Sequence, residues 1–74
     1  MQKRLYPNIH AELARHGLTV TMLSDYMGMT RQNMYYKLAG KIDFSFTDMK
    51  IIQNFFKSKT GDSFSLDYLF KSGE

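Results

Sequence analysis

The chain has 74 residues, of which 43% are hydrophobic and 15% aromatic, and a net charge of +3; these values fit one small folded domain and exclude a disordered chain. It contains no cysteine, which excludes disulfide bonds, thiolate metal sites and a cysteine nucleophile. No apolar run approaches the roughly 20 residues that span a bilayer, and the opening MQKRLYPNIH becomes polar too early for a signal peptide, so we expect a soluble, cytoplasmic protein.

Proline, glycine and capping residues divide the chain into five predicted helices, and the first begins near Pro7. Proline suits the first turn of a helix because the N–H that it lacks has no helical partner there. Ile9, Leu13 and Ala14 then form an apolar stripe, and Gly17 ends the helix. This stripe predicts that the first helix packs on the core through one face.

Threonine and glycine bound the second and third helices. Thr19 is placed to cap a helix that ends at Gly28, and Thr30 is placed to cap a helix that ends at Gly40. The apolar residues of the second helix are Met22, Leu23, Tyr26 and Met27.

The link between these two helices is short, at residues 28–30. A glycine that can adopt a positive φ allows such a turn, and the two helices are then expected to cross steeply. Met29 would fill the corner, and Ser24 is the small side chain that lets the helices approach each other.

The remaining chain predicts two further helices. Ser45 and Asp48 have the spacing of a capping box, which begins the fourth helix. Its candidate core residues are Phe46, Met49, Ile52, Phe55 and Phe56. After a polar loop at Gly61, a short fifth helix is predicted between Ser65 and Phe70. No segment alternates apolar and polar residues over a strand's length, so the expected fold is all-α.

The third helix carries an unusual outward face. On a helical wheel of about 100° per residue, Met34 and Leu38 share one side and form the buried stripe. Gln32, Asn33 and Tyr36 lie on the other side, and Arg31 is in the first turn. Arginine pairs with guanine, and glutamine or asparagine pairs with adenine, in the major groove of DNA. The pattern is therefore typical of a recognition helix.

Charge supports the same interpretation. Between Tyr26 and Ile42 there are three basic residues, Arg31, Lys37 and Lys41, and no acidic residue. A local basic field is expected of a protein that binds a polyanion.

These features together resemble the helix-turn-helix of Cro/CI-type (XRE-family) phage and prophage regulators. The matching pieces are Gly17-Leu18-Thr19, Leu23-Ser24, Gly28-Met29-Thr30, Met34 and Gly40-Lys41. A subgroup of small phage proteins is also similar in "YPNIHAELARHGLT", "YYKLAGKIDFSFTD" and "LDYLF", so the likeness extends from Tyr6 to Phe70. It implies a single five-helix, lambda-repressor-like domain over residues 1–74, with the helix-turn-helix at about 19–39.

The resemblance also implies a function and its residues: a Cro-like repressor of a phage or prophage switch, acting on operator DNA in the bacterial host's cytoplasm. The implied base-reading positions are Arg31, Gln32, Asn33 and Tyr36. The implied backbone contacts are Thr19, Thr30, Tyr35, Lys37 and Lys41. The chain departs from the family pattern where Val20 replaces a common glutamine and Lys37 replaces a common buried aliphatic residue. Whether the protein is a monomer or a homodimer is left open.

Other interpretations of the same helix are also open. Amides occur on ordinary solvated faces, and the position of Tyr35, about 100° from the core direction, favours a packing residue. An antirepressor that binds a partner phage repressor through the face carrying Arg31, Gln32, Tyr35 or Tyr36 is the alternative function. A domain this small is not expected to bury every one of its aromatic side chains, and an exposed aromatic patch would mark a protein interface, either within a homodimer or with another regulator. Those considered are Phe44, Phe46, Phe55, Phe56, Phe64, Tyr68 and Phe70.

No constellation in the sequence indicates catalysis or metal binding. His10 and His16, the only two histidines, are about 240° apart around one helix and cannot hold a metal ion together. The acidic residues are scattered singly, and neither a phosphate loop nor a nucleophile elbow is present. We therefore expect no enzymatic activity, no cofactor and no small-molecule substrate.

Overall fold

The computed structural model describes residues 5–71, and this range is all-helical, as predicted. The helices are α1 (Pro7–Arg15), α2 (Val20–Met27), α3 (Arg31–Leu38), α4 (Phe46–Thr60) and α5 (Leu66–Leu69). No β-strand occurs between residues 5 and 71. Helix α2 packs against both α3 and α4, and α5 packs against α4 and α1. None of the described helices is long and apolar enough to cross a membrane.

The predicted helix starts are confirmed at four places. In each, a hydroxyl oxygen accepts a hydrogen bond from the backbone N–H three residues further on, which satisfies a donor that the helix itself leaves unpaired. These capping residues are Thr19, Thr30, Ser45 and Ser65. At Ser45 the reciprocal bond from its backbone N–H to the Asp48 carboxylate completes a capping box.

Glycine in the left-handed region makes the turn between α2 and α3. Gly28 has φ +72°, and the N–H of Met29 then donates to the carbonyl of Ser24 at 3.0 Å. Ser24 is buried, as expected of the small residue at this contact. The turn therefore places the start of α3 close to the body of α2.

The core is a single cluster in which α4 contributes the largest side chains, Phe55 and Phe56. Helix α1 faces it with Ile9 and Leu13. The predicted third member of that stripe, Ala14, is exposed, so this part of the prediction is wrong. The remaining buried hydrophobic residues are Leu23, Met34, Leu38, Phe44, Ile52 and Leu69.

The third buried residue of α1 is Glu12, and not Ala14 as predicted. Glu12 is 1% exposed, and its Oε2 accepts a hydrogen bond of 2.6 Å from the Tyr68 hydroxyl of α5. Arg15 lies 3.2 Å from the same oxygen, and His16 Nε2 lies 3.4 Å from Oε1. The two contacts at Oε2 replace part of the hydration that the buried carboxylate loses, whereas Oε1 is buried without a hydrogen-bond partner among the described residues.

Of the seven aromatic side chains considered for an exposed patch, only one is exposed. Phe46, the first residue of α4, is 68% exposed, whereas the other six of the seven aromatics considered are buried or partly buried. They pack mostly edge-to-face, as at Phe44–Phe70 and Phe55–Phe56, with ring centroids 5.3 and 5.5 Å apart. The core of this small domain thus buries these six aromatic side chains, wholly or in part.

Candidate nucleic-acid interface

Helix α3 packs against the rest of the domain through a stripe of only two buried side chains. Met34 is fully buried and Leu38 is 5% exposed, which confirms the core direction that the helical wheel predicted. Both other apolar side chains of the helix, Tyr35 and Tyr36, are exposed. Most of the surface of α3 therefore faces solvent.

The four predicted base-reading side chains are all on this exposed surface: Arg31, Gln32, Asn33 and Tyr36. Thr30 accepts from the N–H of Asn33 at 3.1 Å, so the first turn that carries Arg31 and Gln32 is capped and ordered. Their exposure is confirmed, and the role of each in reading bases stays a prediction.

Three of the predicted residues form a row along α3 and just beyond it. The Gln32 Nε2 donates to the Tyr36 hydroxyl at 2.8 Å, one helical turn away. The ammonium of Lys41 lies over the Tyr36 ring, 5.4 Å from its centroid, which is a cation–π geometry. This row was not predicted from the sequence, although polar side chains four residues apart on a helix are neighbours.

The predicted phosphate contacts include two of the helix caps. Thr19 and Thr30 use their hydroxyl oxygens as acceptors for Met22 N–H and Asn33 N–H. A hydroxyl that accepts still has its own hydrogen to donate, so each can also bond to a phosphate oxygen. Tyr35 is 51% exposed, so the alternative of a packed Tyr35 is not what the structure shows.

Lys37 is engaged within the domain. Its Nζ lies 3.0 Å from Asp48 Oδ2 and donates to the carbonyl of Asp43 at 3.2 Å, and its side chain is only 14% exposed. The predicted phosphate contact of Lys37 stays a prediction, but this ammonium already links α3 to the capping box of α4.

The same contact controls the charge of Asp48. Burial by itself would raise the pKa of this carboxyl group, but the hydrogen bonds from Lys37 and from the N–H of Ser45 outweigh it and hold the pKa below 3.8. Asp48 is therefore ionised throughout the neutral range, where it holds the C-terminal half of α3 against α4.

No three His, Asp or Glu side chains between residues 5 and 71 are close enough to hold a metal ion. An open groove beside α2 is lined by Met22, Asp25, Tyr26 and Lys59, which form no nucleophile–base pair.

Comparison with known proteins adds no further constraint on this site. No family model, no curated protein and no solved structure matches the chain.

Proposed function

We propose that the protein is a sequence-specific DNA-binding transcriptional regulator, a Cro-like repressor of a phage or prophage switch. The observation that carries the proposal is the outer surface of α3, where Arg31, Gln32, Asn33 and Tyr36 are all exposed on a helix without acidic residues. Each of these side chains can bond to base edges. A helix whose outer surface only had to be soluble would not need these four hydrogen-bonding side chains.

In this proposal α2 and α3 form a helix-turn-helix and α3 enters the major groove. The support is local: the link at 28–30 is short, Gly28 has the positive φ that this link needs, and Ser24 is buried beside it. The major groove is about 12 Å wide and admits an α-helix. An eight-residue helix is about 12 Å long and can follow the groove for a few base pairs.

The backbone contacts we propose are Thr19, Thr30, Tyr35 and Lys41. The two threonines lie at helix N-termini, where backbone N–H groups and the helix dipole favour a phosphate. Lys41 follows α3 and is exposed. Lys37 is left out, because contact with a phosphate would require it to leave Asp48.

The Gln32→Ala variant tests the assignment of the reading face. The wild-type protein is used to select duplexes from a random-sequence library, and the affinity of both proteins for the selected duplex is measured by fluorescence anisotropy. We expect a loss of about 1–3 kcal/mol and a relaxed preference at one base pair. Asn54→Ala, which removes an exposed amide from α4, is the matched control and is expected to bind as the wild type does. Unchanged affinity and preference in Gln32→Ala would show that α3 is not the reading helix.

The Lys41→Ala variant tests the electrostatic contribution. A lysine that neutralises one phosphate releases about one counterion, so its removal is expected to reduce the slope of log affinity against log salt by about 1, on all sequences alike. Lys57→Ala removes an equal charge from the last turn of α4 and is expected to leave the slope unchanged. Equal slopes for both variants would mean that net charge, and not a contact at Lys41, sets the salt dependence.

A second function is favoured by the apolar side chains on and after α3. Tyr35, Tyr36, Ile42 and Phe46 are all exposed, and residues of these types are common at protein interfaces. In this alternative the protein is an antirepressor whose α3 surface docks on a partner phage repressor. Titration with the repressor encoded by the same phage distinguishes the two: a stable protein complex with only nonspecific DNA affinity would favour the antirepressor.

Oligomeric state is tested together with DNA binding. A homodimer of this kind would read two half-sites about 34 Å apart, one turn of the duplex. Sedimentation of the protein with and without a selected duplex measures how many copies bind.

A further inference from the structure

The hydrogen bond between Gln32 and Tyr36 restricts the side chain that the proposed function relies on most. A free glutamine side chain has three rotatable bonds, and holding it in one rotamer against a base costs conformational entropy. In the described structure the Gln32 amide is already held by the Tyr36 hydroxyl at 2.8 Å. The ring of Tyr36 is in turn covered by the Lys41 ammonium at 5.4 Å.

The bond also determines which groups of the amide remain available. A primary amide has two N–H donors and one carbonyl acceptor. Donation to Tyr36 uses one N–H and leaves the other N–H and the carbonyl oxygen of Gln32 free. Adenine presents an acceptor, N7, and a donor, the N6 amino group, in the major groove, whereas guanine presents two acceptors. The free groups of Gln32 therefore match adenine and not guanine.

The phenol itself keeps a donor. Because its oxygen accepts from Gln32, its hydrogen is free to bond to a second acceptor.

We propose that Gln32 and Tyr36 act as one reading unit that selects an adenine, with Tyr36 as the positioning residue for the Gln32 amide. This inference rests on the proposed function, since it specifies what α3 reads. It predicts that specificity at the adenine depends on the Tyr36 hydroxyl, although a different side chain makes the base contact.

The test is a double-mutant cycle of Gln32→Ala and Tyr36→Phe on DNA. Duplexes are selected by the wild type from a random library, and each protein is then measured on the selected duplex and on one in which the A·T pair read by Gln32 is replaced by G·C. The wild type is expected to discriminate by about 5- to 150-fold. Tyr36→Phe retains the ring beside Lys41 but is expected to lose most of this discrimination, while the preferences set by Arg31 and Asn33 persist. In the Gln32→Ala background the same change is expected to have no further effect at that pair.

The outcomes separate this inference from the proposed function. Undiminished discrimination by Tyr36→Phe, or an equal loss with and without Gln32, would overturn the reading unit while leaving DNA binding in place. A wild type that enriches no sequence from the library would overturn both. Thermal unfolding of each variant, followed by circular dichroism, verifies that the exposed substitutions leave the fold intact.

Discussion

Replacing Phe55 by alanine is expected to remove a large part of the stability of the domain. Phe55 is fully buried at the centre of α4, and its ring packs edge-to-face on Tyr26 and Phe56 at 5.3 and 5.5 Å. A Phe-to-Ala change at such a site costs about 3–5 kcal/mol, because apolar contacts are lost and a cavity remains. At roughly 0.05–0.15 kcal/mol per residue, 74 residues have a stability of about 4–11 kcal/mol. The loss is therefore a third or more of the total over most of this range, and at its lower end the variant is expected to unfold at room temperature.

The same helix supplies a matched control. Phe46→Ala makes the identical chemical change at a residue that is 68% exposed, and it is expected to alter the stability by less than about 0.5 kcal/mol. Urea unfolding followed by circular dichroism measures both variants. Similar losses for the two would contradict the assignment of α4's buried face.

Replacing Glu12 by alanine is expected to have the next largest effect. The carboxylate accepts the Tyr68 hydroxyl at 2.6 Å and thereby joins α1 to α5. A hydrogen bond to a buried charged group is worth about 1.5–3 kcal/mol, and each kcal/mol corresponds to a change of about 4–8 °C in the Tm of a domain of this size. The measurement is the Tm of Glu12→Ala, of Tyr68→Phe and of the double variant. If the bond carries the effect, the double variant will lose much less than the sum of the two single losses.

The pH dependence gives an independent measure of this bond. The hydrogen bond to Glu12, together with burial, raises the pKa of Tyr68 above 10.0. Because the folded-state value is the higher one, the stabilisation is complete below pH 10 and is lost as the pH rises through the folded-state pKa. Tyr68→Phe is expected to remove this alkaline contribution, whereas an unchanged alkaline slope would contradict it.

The helix boundaries could be predicted because their causes are local. A cap such as Thr30 satisfies an N–H only three residues away, and the wheel position of Met34 determines which neighbours face outward. The prediction that Ala14 lies on the buried side of α1 is wrong because the cause of burial there is not local. The residue that makes burial of Glu12 favourable, Tyr68, is 56 positions away along the chain.

The candidate site likewise has features that the sequence predicts and contacts that it does not. That Gln32 and Tyr36 are exposed follows from periodicity, but their mutual hydrogen bond depends on rotamers that periodicity does not specify. The partner of Lys37 is likewise a residue of another helix, Asp48, and a single-helix pattern carries no information about it.

Because only two side chains of α3 are buried, its proposed DNA binding depends on the folding of the whole domain. An isolated peptide of eight residues is not a stable helix in water, so residues 31–38 present their outer side chains in order only while the domain holds Met34 and Leu38. If the protein has the proposed function, DNA binds only the folded chain and shifts the folding equilibrium towards it. A duplex at one hundred times its Kd then adds about 2.7 kcal/mol to the free energy of unfolding. Copies without a binding site would unfold more often and reach cellular proteases first. The abundance of such a regulator would follow the number of sites that it occupies.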